Sequence, residues 1–261
     1  MIYLITALDA EARPLIEHYR LKRDLSLPYS LYKNDDIVLL VSGMGKTNAL
    51  MGLSTLLGWR IPKPADILMN IGICGAPSEY EITEALLIHQ IIDHEKRYYP
   101  DILYPHSMRE TSLLCVDEPQ SHNCEFPVDM ESSAIFQAAS RFFKLHQIAF
   151  VKIVSDHFTP QSVTKEGAIE LIRSHLTLID DLLSALQTIQ SAPSLFSDEE
   201  RERIDIFKAH FTKSQGDGLE DALSFFRLKN PMAPLVFQSD IPNSKRERSM
   251  LLEELITTLT A

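Results

Sequence analysis

Short, nearly continuous apolar runs alternate along the chain with longer stretches whose apolar residues fall three and four positions apart. The runs Ile2 to Ala7, Ile37 to Val41, Ile67 to Ile71, Ala85 to Ile92, Leu113 to Val116 and Ile148 to Val154 predict strands. Several are apolar at successive rather than alternate positions, the pattern of a sheet buried on both faces. Asp9 to Arg20, Thr47 to Leu57 and Met130 to Phe143 carry helix-compatible spacing. In Glu166 to Ile189, residues Ile169, Ile172, Leu176, Ile179, Leu183 and Leu186 form one stripe, which predicts a single long amphipathic helix. Strands alternating with helices predict an α/β domain, with a central mixed, mostly parallel sheet flanked by helices in three layers.

The character changes after Ser191. Ser197 and Glu200 have the spacing of a capping box that opens a charged helix, and Gly216-Asp217-Gly218 and the Pro231/Pro234 pair punctuate the remainder of the chain. The run Lys245-Arg246-Glu247-Arg248 reads as a solvated helix start. No further strand run occurs, so the expected organisation is one domain over 1–190 and a helical C-terminal extension over 191–261.

With 25 basic against 36 acidic side chains the net charge is −11, and the basic residues do not cluster, which excludes duplex nucleic acid as a partner. Cys74, Cys115 and Cys124 are odd in number and lack C-x-x-C spacing, so neither a disulfide framework nor a zinc knuckle is expected. The N-terminal run lacks a basic start and no apolar run approaches the roughly 20 residues that span a bilayer. A soluble, cytoplasmic protein with reduced thiols and no membrane partner is the expectation.

The candidate chemistry lies where predicted strands end. Ala7-Leu8-Asp9-Ala10-Glu11 puts carboxylates at a strand-to-helix junction, the side of an open α/β sheet that binds ligands, although acids in a first turn also complement the helix dipole. In Ser42-Gly43-Met44-Gly45-Lys46-Thr47 two glycines free the backbone amides at a helix start, or make a tight turn with no ligand. A Walker A loop would need glycine where Leu40 stands. Asn70 to Ala76 contains Gly72 and Gly75, which permit close backbone approach, and Cys74, which in an apolar stretch reads as a buried hydrophobe rather than a nucleophile. Asp129-Met130-Glu131 opens a helix and Ser155-Asp156-His157 ends a strand. Acids distributed this way could activate water, hold a sugar diol and protonate a leaving base. Nothing in these motifs calls for a metal or a cofactor.

In their order, Ala7-x-x-x-Glu11, Ser42 to Lys46, Asn70-x-Gly72-x-x-Gly75, Asp129-Met130-Glu131 and Ser155-Asp156 resemble the nucleoside phosphorylase and nucleosidase superfamily, in particular the methylthioadenosine/S-adenosylhomocysteine nucleosidases. The resemblance covers about residues 1–190. It implies that domain's fold and cleavage of the N-glycosidic bond of a nucleoside. Glu11 would activate the attacking water and Asp156, aided by Ser155, would protonate the purine at N7. Glu131 would bind the ribose hydroxyls with Met130 against the sugar, and Gly43, Met44, Gly45 and Gly72 would line the substrate site. Relatives are commonly dimers or hexamers, so a homo-oligomer, a dimer first, is implied.

Phosphorylases of this kind hold phosphate with arginines. None occurs here between Arg23 and Arg60, which favours water, while Lys46 leaves phosphorolysis as the alternative. A module that binds a nucleoside or a partner without turnover is the third reading. About 36 residues separate Ile92 from Asp129, where the superfamily usually has a longer stretch bearing an aromatic over the base. The base pocket is therefore rebuilt, adenine specificity does not carry over, and Tyr98 or Tyr99 is the expected replacement. This compact form is similar to a branch that accompanies spore photoproduct lyase, which implies a nucleoside or a product of nucleotide damage as substrate.

Overall fold

The computed structural model describes residues 1–190, 195–231, 233–235 and 241–260. Two compact units divide the chain, Met1–Ser191 and Ala192–Ala261.

The first unit is built on β1 (Ile2–Thr6), β4 (Ile37–Val41), β5 (Ile67–Gly75) and β10 (Ile148–Asp156), which run parallel in the order β4-β1-β5-β10. Their residues are apolar on both faces because both faces are covered. Tyr3 and Ile5 pack with Leu53, Leu56 and Ile135 of α2 (Lys46–Trp59) and α3 (Ser132–Ala139), whereas Ile2 and Leu4 pack with Leu15, Ile172, Ile179 and Leu183 of α1 (Asp9–His18), α4 (Lys165–Ser174) and α5 (Leu176–Gln190). The two-residue repeat of the strand thus sorts neighbours into opposite layers. Beyond β4 a polar hairpin of β2 (Lys22–Asp24) and β3 (Ser30–Lys33) extends the sheet antiparallel.

On the other side the sheet closes into a barrel. β10 pairs antiparallel with β6 (Ala85–Asp93), β6 parallel with β8 (Arg109–Cys115), β8 parallel with β9 (Val128–Asp129), and β9 returns antiparallel to Gly75 at the end of β5. A short β7 (Lys96–Tyr98) pairs with β6. The expected mixed sheet flanked by helices is present. Its closure escapes a reading of hydrophobicity, because β9 has two residues and β8 starts with the polar Arg109-Glu110-Thr111-Ser112.

The long helix expected over Glu166 to Ile189 differs from expectation. The stripe read as a single helix is two, α4 and α5, separated at His175, which lies outside helical geometry at φ −109 and donates its N–H to Ile172 O. Ile172, Ile179, Leu183 and Leu186 enter the same apolar cluster, so the spacing survives a break in the backbone.

The second unit consists, among the described residues, of α6 (Asp198–Lys208), α7 (Lys213–Lys229) and α8 (Lys245–Thr260) around Phe196, Ile204, Phe207, Leu219, Leu223 and Leu252. Ser197 Oγ accepts the Glu200 N–H at 3.2 Å and the Glu200 carboxylate accepts the Ser197 N–H at 3.0 Å, the capping box its spacing predicts. Gly216 and Gly218 do not interrupt the chain as expected. They lie inside α7, held by the cap at Thr212 and the apolar face of Leu219 and Leu223. α8 begins at Lys245, as the charged run predicts. No described helix is long and apolar enough to cross a membrane.

Candidate functional site

Because β1, β4, β5 and β10 are parallel, the segments after them emerge at one end of the sheet. Glu11 sits one turn into α1, 3% exposed, where its carboxylate returns to the strand ends. Its Oε2 accepts the N–H groups of Ala7 and Leu8, each at 2.9 Å, and its Oε1 accepts that of Ile73 at 3.0 Å. A Cβ on Gly72 would lie 3.0 Å from Oε1, so glycine leaves this carboxylate its room. Burial pushes the Glu11 carboxyl above its usual range, against the opposing pull of the Ile73 N–H, Lys152 and the Leu8 and Ala7 N–H groups.

Behind Glu11 lies a group that motif reading passes over. Lys152 stands in the middle of apolar β10, 2% exposed, and its Nζ donates to Asp129 Oδ2 at 2.8 Å. The same oxygen accepts the N–H and Oγ–H of Ser132 at 3.0 and 2.5 Å. Burial works against the charge of Lys152, yet Asp129, Glu131 and Glu11 outweigh it and hold the ammonium above its ordinary value. The available signal was a lysine within the otherwise apolar run Ile148 to Val154.

Glu131, 7% exposed, precedes α3, and its Oε1 accepts the Gly45 N–H at 2.7 Å. Gly45 adopts φ +89 and ψ 154, a conformation essentially reserved for glycine, and thereby aims that amide across to the carboxylate. Burial, and then the neighbouring Asp129 charge, push the Glu131 carboxyl up to about 7. Asp156 ends β10, 6% exposed, with Oδ1 2.6 Å from Ser155 Oγ and Oδ2 accepting the Thr159 N–H at 2.7 Å. Ser155 Oγ also lies 3.1 Å from Cys74 O, so its hydroxyl has two acceptors to choose between.

These groups meet at a cavity of about 330 Å³. Glu11, Met44, Met130, Glu131, Ser155 and Asp156 all line it. Gly43, Gly45 and Gly72 are not on its wall. They act from behind: Gly43 N–H bonds Ala7 O at 3.1 Å, Gly45 holds Glu131 and Gly72 makes room for Glu11. Cys74 is on the wall, but burial pushes its thiol up, away from the thiolate a nucleophile needs.

Neither expected aromatic reaches the cavity. Tyr98 packs on Phe136 with ring centroids 5.2 Å apart, and the exposed Tyr99 accepts a hydrogen bond from Gln90 through its hydroxyl. Val116, Pro119 and Gln120, from the segment between β8 and β9, line the cavity instead. Exposed His157 turns away from Asp156, with Nδ1 3.0 Å from Ala76 O. Lys46 Nζ lies 2.7 Å from Asp93 and 2.8 Å from Asp117; against partial burial, these two bonds hold its proton firmly. Among the described residues no His/Cys/Asp/Glu group has the arrangement of a metal site, and no arginine or lysine lines the cavity.

Comparison with solved structures identifies this architecture. The 5'-methylthioadenosine/S-adenosylhomocysteine nucleosidase of S. pneumoniae, solved with a transition-state inhibitor, aligns with a TM-score of 0.58 at 18% identity, over 72% of this chain and 99% of that one. A mutant of the Helicobacter pylori nucleosidase with 5'-methylthioadenosine in its active site aligns at 0.57 and 12% identity, over 70% and 97%. A futalosine hydrolase mutant from Helicobacter pylori aligns at 0.54 and 13%, over 69% and 98%. The chain shares its fold with these nucleosidases and this hydrolase. No family model matches the sequence, and no curated protein does.

The buried charges set two measurable outcomes. Lys152→Met strips Asp129 of its counter-charge and is expected to cost about 3–5 kcal/mol of stability, measured by chemical denaturation; a loss within about 0.5 kcal/mol would show that the pair is not a keystone. Between 4.5, the ordinary glutamate value, and about 7, folded Glu131 holds a proton that the unfolded chain releases. Its stabilising contribution is therefore complete below 4.5 and is lost as pH rises through about 7. Melting temperatures across this window should fall with rising pH, and less steeply in Glu131→Gln; identical slopes would assign the effect elsewhere.

Proposed function

We propose that this chain hydrolyses the N-glycosidic bond of a purine nucleoside. One observation supports the reading above the others: Glu11, Glu131 and Asp156, carried by separate elements, meet on one cavity that no cationic side chain lines. Glu11 Oε2 receives two N–H donors and Oε1 only one from the backbone, so Oε1 keeps a lone pair for a water proton. Burial raises its basicity. Glu131 accepts from the ribose hydroxyls while Met130 packs on the sugar.

As water oxygen bonds to C1′, its proton passes to Glu11, and the electrons of the C1′–N9 bond pass into the purine. N7 then takes a proton from Asp156, giving free base and free sugar. When Asp156 carries that proton, Ser155 turns its O–H to Cys74 O; once the proton has left, the hydroxyl returns to Asp156 Oδ1. Phosphate as nucleophile would need a cation at this wall. The sequence candidate, Lys46, is committed to Asp93 and Asp117, which favours water.

The test is release of base from a panel of purine nucleosides, with and without phosphate. Release is expected without phosphate and to fall at least about 100-fold in Glu11→Gln and in Asp156→Asn. Phosphate-dependent formation of ribose 1-phosphate would replace hydrolysis by phosphorolysis, and saturable binding without turnover would sink the enzyme reading.

The reading includes a homodimer. α2 buries Leu53, Leu56 and Leu57 yet leaves Leu50, Met51 and Trp59 exposed, and the exposed cavity residue Met44 lies just before it. Exposed Leu50, Met51 and Trp59, set among the polar Asn48, Ser54 and Thr55 on one helix face, are suited to cover by a second copy. Sedimentation should give twice the chain mass of 29.6 kDa, and Met51→Glu should favour the single-chain mass; a wild-type chain that sediments at 29.6 kDa removes the dimer.

A further inference from the structure

A second, open cavity of about 660 Å³ adjoins the first, and Ser155 and Val163 belong to the walls of both. Its chemistry is different. Thr83, Ser162, Thr164 and Ser174 present hydroxyls over the aliphatic Ile82 and Leu171, Glu170 and His175 complete the polar lining, and no lysine or arginine lines it. A phosphate or carboxylate would find no lysine or arginine counter-charge there, whereas a neutral chain with a hydroxyl finds aliphatic surface along its length and hydrogen-bonding partners at its end.

The rim of this cavity is strained on the side nearest the proposed acid. Thr83 is β-branched yet holds φ +77, in the left-handed region, and its N–H is fixed to Val154 O at 2.9 Å, two residues before Asp156. Backbone cost of this kind persists where surrounding structure imposes it, and it collects at ligand sites. Thr164 and Ser162 are set by their own bonds: Thr164 Oγ1 caps α4 by accepting the Gly167 N–H at 3.0 Å, and Ser162 Oγ donates to Thr159 O at 2.8 Å. Both walls are thus organised.

The position of the cavity names the ligand. On a purine, N7 and the substituent at C6 share one edge. If Asp156 and Ser155 address N7, as the proposed function has it, a C6 substituent is directed past Ser155. We infer that the second cavity is a subsite for the 6-substituent of a purine nucleoside, and that the preferred substrates carry a neutral, hydroxyl-bearing alkyl chain there. Val163, shared by both cavities, packs where chain and base join.

The experiment measures binding in the Glu11→Gln chain, which removes the water-activating base and leaves the base edge intact. Adenosine and N6-(4-hydroxybutyl)adenosine are titrated calorimetrically. The substituted nucleoside should bind at least about tenfold more tightly. That advantage should disappear when the cavity is filled from either wall, in Ser162→Trp or in Ser174→Trp, with adenosine affinity unchanged. Equal affinities, or an advantage that survives both substitutions, would overturn the subsite. Adenine release by the unaltered chain is read separately: adenosine turnover with equal affinities removes the subsite and leaves the hydrolase, whereas tighter binding of the substituted nucleoside without turnover keeps the subsite and removes the hydrolase.

Discussion

The bond between Lys152 and Asp129 is the contact on which the cavity depends. Two charges with 2% exposed side chains, 2.8 Å apart, tie the middle of the central strand β10 to the segment that closes the barrel. Neither charge tolerates burial without the other. The pair therefore fixes β9 and the start of α3, and with them Glu131. Lys152 also supplies positive potential to Glu11, whose carboxylate has been taken out of water. A barrel end that would otherwise collect three acids around nothing is organised about one ammonium.

The balance is left incomplete. One cation cannot neutralise Glu11, Asp129 and Glu131 together; burial raises the proton affinity of Glu11 and Glu131, and at Glu131 the neighbouring Asp129 charge adds to it. Backbone N–H groups supply the rest: three converge on Glu11, and Gly45 donates one to Glu131. These dipoles are fixed in the folded chain and need no rearrangement when charge moves, which is the condition for electrostatic stabilisation of a reacting sugar.

The central parallel strands were legible because Ile2 to Thr6, Ile37 to Val41 and Ile148 to Val154 are apolar at nearly every position. The carboxylates were legible because Glu11, Glu131 and Asp156 stand at strand ends in a recognisable order. Other features were not, each for a physical reason. β2 is polar because it lies at a sheet edge, and β9 is too short to show a period. The break at His175 conserves the apolar stripe and so leaves no mark in it. Tyr98 looked like a base-stacking residue, but Phe136 and the apolar cluster beneath it offered that ring a better-buried place. Gly45 and Gly72 lie against the Glu131 and Glu11 carboxylates, a placement not legible in the sequence because a glycine signals close approach without saying to what.

Closure of the barrel through two residues of β9 has a consequence for how such a chain can diversify. The segment between β8 and β9 is tethered at both ends by neighbouring parallel strands, and it supplies Val116, Pro119 and Gln120 to the cavity. Its length and composition can change while Val128 and Asp129 keep the ladder shut and Asp129 keeps Lys152. This wall of the cavity is in this way uncoupled from the groups that hold the charge: its shape can be rewritten by insertion or deletion while the charged centre stays intact.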